Sequence, residues 1–118
     1  MQSKDSLEGL RARLDAFAVE RDWAQFHSPK NLVMALAGEV GELTEHFQWL
    51  TPGESERLSA ETLAEVKLEI ADVLLFLVRL ADRLGVDPVE AAERKLELNA
   101  KKYPVSKAHG KATKYDKL

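Results

Sequence analysis

The chain has 118 residues, 45% of them hydrophobic and 31% charged, with six Gly, four Pro and no Cys. That balance fits one small globular domain and excludes collagen-like and low-complexity classes. It also excludes a disulfide framework, a thiolate metal site and a cysteine nucleophile. The longest apolar run, Val73 to Val78, is far too short to span a bilayer, so no membrane association is expected. The opening MQSKDSLEGL is polar and carries no secretory signal, which points to the cytoplasm.

The net charge of −3 hides an asymmetry. Residues 95–118 hold seven Lys against Glu97 and Asp116, whereas residues 1–94 hold ten basic and eighteen acidic side chains. An acidic body argues against a nucleic acid polymer as partner, which wants a basic face on the folded domain. It leaves room for a cation in the body and an anion contact from the tail.

Four helices follow from period and punctuation. The first spans about Ser6 to Glu20, with Leu7, Leu10, Leu14, Phe17 and Ala18 on one stripe. An irregular RDWAQFHSPK segment leads to Pro29, suited to a first helical turn. The second helix runs to about Gln48, with Leu32, Leu36, Val40, Leu43 and Phe47 recurring at helical spacing. Thr51-Pro52-Gly53 ends it and opens a polar loop. Ser59 caps a third helix reaching Leu84, and Gly85 stops it. Asp87-Pro88-Val89-Glu90 then starts a fourth, with Asp87 as cap and Glu90 as capping-box carboxylate, continuing to Lys102 before Pro104. The expected fold is an all-α four-helix bundle over residues 1–104, with a basic tail at 105–118 that is mobile or docked on a partner.

The third helix bears on assembly. About 25 residues make roughly 37 Å, long for so small a domain. Its VLLFLV centre is apolar all round, whereas a surface helix of a monomer keeps a polar face. A second subunit is expected to cover it.

Two carboxylate pairs carry the chemistry. Glu39 and Glu42 are three residues apart and border the apolar stripe of the second helix; Glu69 and Asp72 repeat this on the third. Packed stripe to stripe, the helices set ExxE against ExxD, and four converging carboxylates repel strongly without a cation among them. Oxygen ligands with no Cys favour Mg²⁺ or Mn²⁺ over Zn²⁺. Each pair taken alone also fits an ordinary solvated helix face. Gly38 and Gly41, each costing about 1 kcal/mol inside a helix, suggest close approach by another backbone or a ligand, or simply tight helix packing.

The runs FHSPKNLVMALAGEVGELTEHFQW, EIADVLLFLVRLADRLGVD and KLELNAKKYP resemble the MazG-like all-α nucleoside triphosphate pyrophosphohydrolases, and within them the short dCTP pyrophosphatase branch. The resemblance covers Leu14 to Tyr115. It implies Mg²⁺-dependent cleavage of a (deoxy)nucleoside triphosphate, dCTP or a modified dCTP, to the monophosphate and pyrophosphate. It places Glu39, Glu42, Glu69 and Asp72 as metal ligands and catalytic groups, Mn²⁺ being a possible substitute. It places Trp23, Trp49 and Phe76 around base and sugar, and Lys95, Asn99, Lys102 and Tyr103 on the substrate, with Lys114 and Tyr115 ordering the tail. Relatives often carry Tyr where Phe76 stands, so a hydroxyl contact is missing. A homotetramer is the assembly it implies.

Trp23 and Phe26 also fit a hydrophobic plug, and the lysines a solvated face. His46, four residues past Glu42, reads as a boundary residue, and His27 as ordering the FHSPKN loop. Competing functions are a broader housekeeping hydrolase of aberrant nucleotides, a carboxylate-bridged metal bundle, and a non-enzymatic helical module. The metal bundle uses Glu-x-x-His pairs, and neither Glu39 nor Glu69 is followed by His at that spacing.

Overall fold

In the computed structural model, which describes residues 6–118, every regular element is helical. In chain order these are α1 (Leu7–Glu20), α2 (Pro29–Glu45), the single turn α3 (Pro52–Ser55), α4 (Ala60–Arg83), α5 (Pro88–Lys102) and the single turn α6 (Val105–Ala108). Short 3₁₀ turns occur at Ala24–Phe26 and Tyr115–Lys117. The all-α expectation holds throughout the described residues.

Each long helix starts where its chemistry asks for one. Ser6, Ser28 and Ser59 accept from the backbone N–H groups of Gly9, Asn31 and Thr62, and Asp87 accepts from Val89 and Glu90. Each such cap contributes about 1 kcal/mol. Pro29 and Pro88 stand in first turns, where a missing N–H costs nothing. Gly85 closes α4 at φ +68°, a left-handed backbone that glycine adopts without strain.

Three segments differ from expectation. The second helix ends at Glu45 rather than Gln48, and looser turns carry the chain onward. Thr44 Oγ1 donates to the Val40 carbonyl at 2.8 Å, a back-bond that loosens a helical ladder. The polar loop contains α3, whose N-terminus is a full capping box between Thr51 and Glu54. The tail is not featureless either. It forms α6 and a final 3₁₀ turn, where Tyr115 meets the Tyr103 ring edge-on at 6.1 Å and the Lys102 ammonium lies 4.7 Å from the Tyr115 centroid.

The chain forms two compact units, one ending at Gly85 and one spanning Val86–Leu118. In the first, α2 packs along α4, with α1 against α4 as well. Ala18, Leu32, Val66, Val78 and Ala81 are its buried apolar residues. This core is thin. Met34 on α2 and Ile70, Leu74 and Leu77 on α4 stay exposed, so the all-round apolar centre of α4 is covered on one side only. A Cβ built on Gly38 or Gly41 would meet nothing within 4 Å, so neither glycine admits a close neighbour from this chain.

Candidate active site

The pairing of α2 with α4 brings the two carboxylate pairs together. One oxygen each from Glu39, Glu69 and Asp72 lies within 4.8 Å of the others. Glu42 adjoins this trio closely enough to act on both Glu39 and Glu69. Glu39 Oε2 and Glu69 Oε2 are buried and have no hydrogen-bond partner. Native proteins rarely bury a carboxylate oxygen without a partner, because its lost hydration is not replaced.

The electrostatics report the same imbalance. Burial pushes the Glu39 carboxyl up to about 7, aided by hydrogen bonding with Glu42 and by the charges of Glu42, Asp72 and Glu69. Glu69 is also raised, by burial first and then by Glu42 and Asp72, with His46 acting in the opposite sense. Among the described residues no Lys or Arg forms an ion pair with any of the four. The residues therefore fit a hard divalent cation: clustered oxygen donors, two of them orphaned, with excess negative charge.

Asp72 also forms part of a cleft of about 250 Å³ shared with Leu14, Phe17, Trp23, Leu32 and Phe76. The turn after α1 builds one wall. Asp22 takes a left-handed φ of 53°, the Trp23 N–H returns to the Ala18 carbonyl at 2.9 Å, and the indole meets the Phe17 ring edge-on at 5.7 Å. The Arg21 guanidinium lies over the Phe17 ring, 3.7 Å from its centroid. Phe76, one turn beyond Asp72 on α4, supplies another wall. An aromatic slot thus opens beside the carboxylates.

Not every candidate gathers there. Trp49 is 86% exposed beyond the end of α2 and is not part of the cleft. Lys95, Asn99, Lys102 and Tyr103 belong to the second unit, where the first three share a face of α5 and Tyr103 caps its end. His46 faces Glu65 at 3.7 Å, and among the described residues no histidine joins the metal-type cluster.

Arg79 is a cleft residue that is not among those expected from the sequence. It is 4% exposed, and its guanidinium donates to Asp15 Oδ1 at 2.6 Å, to Asp82 Oδ2 at 3.5 Å and to His27 Nδ1 at 3.0 Å. His27 and Arg79 both line the cleft. The signal was present: an arginine inside the apolar run VLLFLVRLA must either snorkel or find partners.

Residues 35–118 match the model of the MazG-like family. The chain is 45% identical to dCTP pyrophosphatase 1 of Homo sapiens over 115 residues, covering 96% of this chain and 68% of that protein. It is 44% identical to dCTP pyrophosphatase 1 of Bos taurus, covering 98% and 70%. A solved pyrophosphatase from Archaeoglobus fulgidus, 40% identical, matches with a TM-score of 0.75 over 88% of this chain and 97% of its own. The chain belongs to the MazG-like family. It is an enzyme of the nucleoside triphosphate pyrophosphohydrolase class. Among the described residues no helix is long and apolar enough to cross a membrane.

Proposed function

We propose that this chain hydrolyses a deoxynucleoside triphosphate, dCTP or a modified dCTP by preference, to the monophosphate and pyrophosphate. The observation that carries the reading is the convergence of Glu39, Glu69 and Asp72 beside an aromatic cleft whose wall includes Asp72. Glu39, Glu42, Glu69 and Asp72 would hold Mg²⁺, with Mn²⁺ as a substitute. Such an ion, when bound, offsets triphosphate charge and makes water a nucleophile near neutral pH. Glu39 or Glu42 is suited to take the proton of the attacking water.

Trp23 and Phe76 present ring faces and edges to a base, an interaction tolerant of sequence and worth about 1–3 kcal/mol per stacked base. The absence of a hydroxyl on Phe76 removes one donor from that slot. Lys95, Asn99, Lys102 and Tyr103 are proposed to engage the substrate's anionic groups, charge-assisted bonds being the strong ones; Trp49 is proposed to contact the base from outside the cleft of this single chain. The exposed apolar residues of α2 and α4, with Gly38 and Gly41 open to a close neighbour, support a homo-oligomer, a tetramer by resemblance.

A panel of natural and modified dNTPs incubated with Mg²⁺ tests the reading directly. Pyrophosphate and monophosphate are the expected products, with cytosine substrates fastest. Orthophosphate as the first product, with no pyrophosphatase present, would refute cleavage at the α-phosphate.

A further inference from the structure

The C-terminal tail folds back on α5 although it has no core of its own. Neither α6 nor the final 3₁₀ turn contains a buried residue. Charge opposes the fold as well, since residues 101–118 hold six Lys against Asp116 alone. Like charges crowded into so short a stretch repel one another. Gly110, at φ +72°, supplies the left-handed turn that reverses the chain. Tyr115 then returns to the end of α5.

Two contacts receive it there. The rings of Tyr115 and Tyr103 stand at 84° with their centroids 6.1 Å apart, the edge-to-face arrangement aromatic pairs prefer. The Lys102 ammonium lies over the Tyr115 ring, 4.7 Å from its centroid, within the range of a cation–π attraction. Among the described residues Lys102 has no carboxylate partner and no hydrogen bond. The distinction matters. A carboxylate would fix the ammonium by neutralising it, whereas a ring face fixes it and leaves its charge and its N–H donors for an anion. A lysine on a free stem must lose rotamer freedom on binding, and one already held in place loses less.

We infer that Tyr115 is a positioning residue: braced by Tyr103, its ring holds the Lys102 ammonium as a preset, uncompensated cation for the phosphate chain of the substrate. The inference rests on the reading proposed above, in which Lys102 engages the substrate's anionic groups. The tail thereby acts on binding through one aromatic ring.

Proton spectra of the full chain test the contact without substrate. The Lys102 Cε protons should resonate upfield of those of other lysines, shifted by the ring beneath them, and lose that shift in Tyr115→Leu. Unshifted Lys102 protons in the wild type would overturn the clasp. Kinetics on dCTP test its purpose. Tyr115→Leu should raise KM roughly two- to fivefold, the size of one exposed cation–π contact, with kcat close to wild type. Tyr115→Phe, which keeps the ring, should restore most of the loss. In a Lys102→Gln background, Tyr115→Leu should raise KM no further. A further rise there would mean that Tyr115 shapes the whole tail rather than Lys102, and would overturn the inference. Wild-type KM in Tyr115→Leu would overturn it too. If the wild-type protein hydrolyses no nucleoside triphosphate, the function fails instead, and the proton spectra still decide the clasp.

Discussion

Two charged clusters stand on α4, seven residues apart, and they are built on opposite principles. Around Arg79 the books balance: one buried cation meets Asp15, Asp82 and a neutral histidine nitrogen. Around Asp72 they do not, because Glu39, Glu42 and Glu69 add negative charge and two oxygens lack any partner. Burial alone does not separate them, since the Arg79 side chain is buried and so are the Oε2 atoms of Glu39 and Glu69. What separates them is compensation. The satisfied cluster holds a shape, and the unsatisfied one is completed by something the chain does not encode.

The largest expected contrast is in turnover. Replacing Asp72 with Asn, or Glu39 with Gln, should lower hydrolysis by orders of magnitude, measured as pyrophosphate release under saturating Mg²⁺. Neither substitution should unfold the protein, since each removes repulsion.

The satisfied cluster should behave in reverse, losing stability when a partner is removed. Asp15→Ala leaves the buried Arg79 cation short of its nearest acceptor, and should destabilise by about 1–3 kcal/mol in urea unfolding. Arg79→Met removes the buried charge while leaving Asp15 half-exposed and free to hydrate. It should therefore cost less stability than Asp15→Ala. Equal or reversed costs would mean that packing, rather than charge compensation, dominates this cluster.

Acidity should sharpen the contrast further. Glu39 and Glu69 titrate higher in the folded protein than in the unfolded chain, so the folded state binds more protons between the two values. Stability without metal must then fall as pH rises from about 4.5 to about 7, where Glu39 titrates. In EDTA the protein should melt higher at pH 5.5 than at pH 7.5. With Mg²⁺ the advantage should shrink or invert, because protons and cation compete for the same oxygens.

The smallest effect expected is in the aromatic walls. Trp23→Ala should raise KM for dCTP by a factor matching about 1–3 kcal/mol. Trp49→Ala, at a residue 86% exposed in the single chain, should leave the melting temperature unchanged. A large loss of stability in the latter would place Trp49 in an interface between subunits, which light scattering of wild type and variant can check.

Much of this was legible beforehand. Ser59 and Asp87 marked helix starts because their side chains can satisfy orphan N–H groups, a local rule needing no tertiary knowledge. Glu39, Glu42, Glu69 and Asp72 were legible because helical spacing puts each pair on one face, and apolar stripes dictate which faces meet. Trp23 was placed less surely, since its position depends on Asp22 adopting a left-handed backbone, which spacing does not reveal. Arg79 and His27 were harder still. They are 52 residues apart in sequence and meet through a loop with no period to read. Gly38 and Gly41 suggest a close neighbour, and this chain itself supplies none at either position.

Thermal melting of wild type and Asp72→Asn, each in EDTA and in Mg²⁺, tests the central claim most directly. If the four carboxylates form an uncompensated cation site, Asp72→Asn melts at or above the wild type in EDTA. Mg²⁺ then stabilises the wild type, by about 2.7 kcal/mol at a hundred times Kd, and the variant far less. A wild-type melting temperature indifferent to Mg²⁺, together with full activity in Asp72→Asn, would contradict it and return these residues to the ordinary solvated face of a helix.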